Sequence, residues 1–227
     1  MRKFAILVIL FFTLEIDAQL SKLENSLKQN LRNWDTTSSS VSGEKVLDRL
    51  RSLCVDYPES WQAKFYLSFL LTQQTRWDGM NNKKTLLDEA MTNYLKAMQE
   101  FKLRGKTEVV PSHCVSLEYL INVFYAEDYY ARRDSLNYVK FKNISEQKLN
   151  EVIKMNQEDP VVLTQVGINL IQLGNQRRDN SFILSGKLAL EKASKHFEKA
   201  KDFDFVNCSN WCRDWPDKWL KYAVQIK

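Results

Sequence analysis

The sequence predicts an all-α protein made of stacked, antiparallel helix pairs, and three observations carry that expectation. Only six glycines and four prolines occur in 227 residues, and no stretch alternates apolar and polar residues between hairpin turns. Apolar residues recur instead at helical spacing: Leu20, Leu23, Leu27 and Leu31 make one stripe, and Val46, Leu47, Leu50, Leu53 and Cys54 another. The third observation is a repeat. Pro58 and Pro160 each open a long apolar segment, and each is followed at nearly equal distance by alanine, an aromatic four later and alanine three later still.

Taken in order, residues 1–18 read as an export signal. Arg2 and Lys3 give a positive start, Phe4 to Leu14 form an apolar run broken only by Thr13, and Ala18 is a small residue at the expected cut. Such a run makes a helix of roughly 16 Å, against a hydrocarbon core of about 30 Å. A retained anchor is the competing reading. The expectation is an exported chain, periplasmic or secreted, with no transmembrane anchor after cleavage.

Residues 19–227 form a single helical-repeat domain in this reading. Residues 19–57 hold an N-terminal helix pair joined by the polar loop Thr36 to Gly43. A repeat follows at 58–104, with "PESWQAKFYLSFLL", a polar loop and a second helix carrying Ala90, Tyr94 and Ala97. A degenerate repeat at 111–157 has a helix over 112–133 and a shorter one capped by Ser145. The repeat at 160–204 has "PVVLTQVGINLIQL", the loop "GNQRRDNSF", and Ala193, Phe197 and Ala200. A final helix within 208–227, with Asp214 or Trp215 at its N-cap and Pro216 in its first turn, caps the stack. Residues at i, i+4 and i+7 share one helix face, so the two alanines admit a neighbour closely while the aromatic fills its groove.

Charge and cysteines narrow the function classes. The 33 basic and 28 acidic residues give a net +5, but they are interspersed, as in "KLENSLKQNLR". That pattern describes solvated helix faces, not a nucleic-acid footprint. Four cysteines allow three pairings in an oxidising compartment; Cys208–Cys212 is the preferred local bridge, with Cys54–Cys114 as its complement, and free thiols remain the other reading. His113 and His196, the two histidines, have no ligand spacing to a cysteine pair, so no metal is expected. No nucleophile elbow, metalloprotease motif or phosphate loop occurs, and no cofactor is implied. The expectation is therefore not an enzyme; a hydrolase is the weakest reading.

The proline joints, "DPVVLTQVGINLIQLG" and "LALEKASKHFEKAKDFD" resemble tetratricopeptide (TPR) repeats. Ala90, Tyr94 and Ala97, like Ala193, Phe197 and Ala200, match the second-helix signature, and Gly167 falls where a small residue permits close packing. The layout also looks like small exported TPR-like proteins of Gram-negative bacteria. The resemblance implies a TPR-like α-solenoid of about three degenerate repeats plus flanking helices, acting as a non-catalytic module that binds a protein or peptide. In such stacks the first helix of each pair lines the concave surface, which selects Tyr119, Asn122, Tyr129, Arg133, Gln165, Asn169 and Gln172. The alternative is an envelope glycan or small-ligand binder using Trp211, Trp215 and Trp219, whose indole faces stack on sugars or seat at membrane interfaces.

Overall fold

The computed structural model describes residues 21–34, 40–75, 78, 80–104, 112–154, 160–199 and 210–225. Among them every regular element is helical: α1 (21–34), α2 (Ser40–Asp56), α3 (Trp61–Gln74), α4 (Met80–Arg104), α5 (Ser112–Ala131), α6 (Ser135–Lys154), α7 (Pro160–Arg177), α8 (Asn180–Lys199) and α9 (Asn210–Gln225). Helices pack in sequence-adjacent pairs, α3 with α4, α5 with α6, and α7 with α8. Each pair meets the next through α4 and α5 or α6 and α7, while α3 touches α5 and α5 touches α7. None of the described helices is long and apolar enough to cross a membrane.

The apolar residues of α3 are spread round the helix without a separate polar face, which suits its place at the centre of the N-terminal half. From Ala63 to Gln74 every residue is buried, enclosed by α2, α4 and α5. Ser60 caps this helix by accepting from the Ala63 amide at 3.2 Å, a contact worth about 1 kcal/mol. The helix pair runs antiparallel. Trp61 at its start meets Phe101 near the end of α4, ring centroids 5.3 Å apart, and mid-helix Ser68 donates to the Ala90 carbonyl at 2.7 Å. The alanine–aromatic–alanine face of α4 points inward: Ala90 and Ala97 are wholly buried and Tyr94 nearly so. Tyr94 also donates to Glu118 of α5 at 2.9 Å, which ties one pair to the next. In α8 Ala193 is buried likewise; the side chains of Phe197 and Ala200 lie outside the described residues.

Four boundaries correct the sequence expectation. Gly43 belongs to α2, not to a loop, and packs against Trp34 and Gln74. The second helix of the middle pair starts at Ser135, so Ser145 is no N-cap; it sits mid-helix, donating to the Lys142 carbonyl at 2.7 Å. The loop expected after Gly174 shrinks to Arg178 and Asp179 between α7 and α8. The last helix begins at Asn210, with Pro216 inside it, forgoing one backbone bond.

The middle two corrections share a cause. Arg133 (φ 60°) and Arg178 (φ 54°) adopt the left-handed conformation that ends a helix. Each is followed by an aspartate whose amide donates back to the preceding helix, Asp134 to Tyr129 and Asp179 to Gly174, both at 2.9 Å. Each aspartate then caps the next helix, accepting from the Asn137 and Ser181 amides at 3.1 and 2.9 Å. Arg-Arg-Asp thus makes the same tight turn twice.

Cys54 and Cys114 are not joined by a bridge. Cys54, half-buried on α2, lies within the fields of Lys64, Glu89 and Lys96, whereas Cys114 is buried on α5 beside Tyr94. Cys208 and the side chain of Cys212 lie outside the described residues.

Candidate functional site

Among the described residues, a groove of about 500 Å³ lies between α5, α6 and α7. Helical spacing builds it from three faces. On α5, Tyr119, Val123, Ala126, Glu127 and Tyr130 fall one turn apart; on α6, Tyr138, Lys142, Ser145, Glu146 and Leu149 do the same; α7 adds Asn169 and Gln172. Apolar walls with convergent polar groups are what a binding site needs.

Tyr119 forms the floor. Its residue is only 5% exposed, and burial together with the charge of Glu127 holds its phenol well above the usual tyrosine range, so the hydroxyl keeps its proton. At the mouth, Tyr130 and Tyr138 approach with ring centroids 5.4 Å apart and planes tilted by 54°. The groove adjoins a second concavity of about 540 Å³ around the α5–α6 turn, where Arg133 and Ser135 join the same two tyrosines.

The structure therefore brings together Tyr119, Asn169 and Gln172, with Arg133 beside them. Other sequence-selected residues are elsewhere. Asn122 is buried and donates to the Glu118 carbonyl of its own helix at 2.7 Å. Tyr129 stacks on Phe141, centroids 5.4 Å apart, in a ladder continued by Tyr125 at 4.6 Å from the same ring. That ladder is the packing between α5 and α6. The side chain of Gln165 lies outside the described residues.

Of the C-terminal tryptophans, Trp219 is half-buried and packs against the small core formed by Ile168, Ile171, Leu190 and Ala223, its ring edge-to-face with Tyr222 at 5.2 Å. The side chains of Trp211 and Trp215 lie outside the described residues, as does that of His113. No group of three potential metal ligands occurs among the described residues.

Sequence reasoning missed the α6 contribution, Tyr138, Lys142 and Glu146, because the first half of α6 was expected to be a connection. The available signal was Asp134 as an N-cap followed by Tyr138, Phe141 and Ser145 at helical spacing. Comparison with protein-family models, curated proteins and solved structures finds no match to this chain.

Proposed function

We propose that the chain is a TPR-like helical stack that binds a peptide or protein segment in the α5–α6–α7 groove, without catalysis, after export to the periplasm or beyond the cell. The observation that carries the reading is the groove itself: tyrosines and amides from successive helix pairs converge on one concave wall. A peptide backbone is recognised by such amides, and its side chains by aromatic surface. The order of helix contacts supports a solenoid, since first helices α3, α5 and α7 touch in series. The apolar run at Phe4 to Leu14 supports export.

The glycan reading through the C-terminal tryptophans is weakened by Trp219, whose ring is engaged in the small core. The experiment is mass-spectrometric comparison of proteins recovered with the tagged chain and with an Asn169→Ala/Gln172→Ala variant of unchanged helicity. A partner held by the first and lost by the second supports the groove. A partner held equally by both places binding on another surface.

A further inference from the structure

We propose, resting on the peptide-groove reading above, that the groove selects a segment bearing lysine or arginine, its cation seated between the carboxylates of Glu127 and Glu146 and against the Tyr119 hydroxyl. Three independent features of the groove lead to this ligand chemistry.

The first is Tyr119. More than nine-tenths of the residue is buried, it lines the groove floor, and no described group shares a hydrogen bond with its hydroxyl. A phenol head at the groove wall that no described residue partners is left to water or to a group bound in the groove. A protonated phenol oxygen accepts from an ammonium or guanidinium hydrogen.

The second is charge. Glu127 on α5 and Glu146 on α6 bring two carboxylates to the wall, against one lysine, Lys142. Neither carboxylate is held firmly. Glu127 meets Lys83 at 3.5 Å and Glu146 meets Lys142 at 3.8 Å, with all but Lys83 well exposed. Exposed pairs of this kind contribute little and exchange readily for a better partner. An anionic ligand would meet repulsion from both carboxylates.

The third is the mouth. Tyr130 is 71% exposed, and its ring with that of Tyr138 offers the negative aromatic faces that attract cations. The aliphatic stem of lysine or arginine then lies along the apolar wall while its head reaches the carboxylates.

The test is selection of random linear peptides displayed on phage against the intact chain, followed by fluorescence-anisotropy titration of the enriched peptides. The inference expects enrichment of lysine or arginine. It also expects affinity about tenfold lower for Glu127→Gln/Glu146→Gln, and about threefold or more lower for Tyr119→Phe. Both carboxylates are exposed and Tyr119→Phe removes one oxygen, so unchanged circular dichroism is expected and is checked for each. Enriched peptides without basic residues, or affinities unmoved by the glutamine pair, overturn the cation seat while peptide binding stands. Enrichment of no peptide overturns both readings together.

Discussion

Gly167 of α7 and Gly186 of α8 face each other so closely that a β-carbon on Gly186 would lie 2.7 Å from the Gly167 carbonyl oxygen, and one on Gly167 would lie 2.8 Å from that of Gly186. The obstacle on each side includes backbone, which cannot rotate away. Gly186→Ala would also press on Ile171, and Gly167→Ala on Leu190. The close approach of α7 and α8 at this point requires both side chains to be missing.

Gly186→Ala therefore destabilises the fold despite alanine's better helix propensity. Overpacking costs about 1–3 kcal/mol, and the propensity gain returns about 1 kcal/mol. A urea midpoint equal to or above that of the unaltered chain would contradict this packing.

Arg178→Gly has the opposite sign. Arg178 is exposed and left-handed, a conformation costing a non-glycine residue about 1 kcal/mol. Thermal unfolding should shift up by a few degrees, equivalent to about 0.5–1 kcal/mol. Asp179→Ala, which removes the cap on Ser181, should lower stability by about 1 kcal/mol.

Arg51 joins α2 to α4. Its Nε and second terminal nitrogen donate to the two oxygens of Glu89 at 2.8 Å each, and its remaining nitrogen reaches Glu44 and Asp48. Lysine keeps the charge but not the fork. Arg51→Lys is expected to cost about 1 kcal/mol, and a double-mutant cycle with Glu89→Gln should show a coupling of about 0.5–1 kcal/mol. Zero coupling in the cycle would reduce the pair to a surface contact.

Alkaline pH should weaken the fold in stages. Burial pushes the Cys54 thiol up to about 11, above its unfolded value of about 8.5. Its contribution is fully present below the unfolded value and is lost as pH rises between the two. Tyr94, Tyr119 and Tyr125 are raised as well, each chiefly by burial, so loss continues above pH 10. Denaturant midpoints measured at pH 7, 9 and 10.5 should fall progressively, and Cys54→Ala should flatten the first part of the decline.

The helix class and its core were legible because apolar periodicity is a local property. Leu23, Leu27 and Leu31, and Val46, Leu47 and Leu50, are all buried as their stripes predict. Ala90, Tyr94 and Ala97 were readable for the same reason. The turns were not, because Arg133 and Arg178 occupy positions where glycine is the usual signal. Missing the first turn hid half of α6, and with it one wall of the groove. Tyr129 and Asn122 show a second limit: first-helix position does not say which side of the helix faces open space, since α5 is packed by α3, α4, α6 and α7.

The enclosure of α3 on every side has a kinetic reading. Its amide hydrogens reach solvent only when α2, α4 and α5 come away together, so they should exchange with deuterium last, through global opening. Those of α9, resting on α7 and α8 through the small core at Ala223, should exchange far sooner through a cheaper local opening. The groove spans α5, α6 and α7, bridging the well-protected half and the C-terminal pair. Occupancy there would slow exchange in α3 and α7, whose opening dismantles the groove, while leaving the local opening of α9 unchanged, turning a deuterium profile along one chain into a direct report of binding.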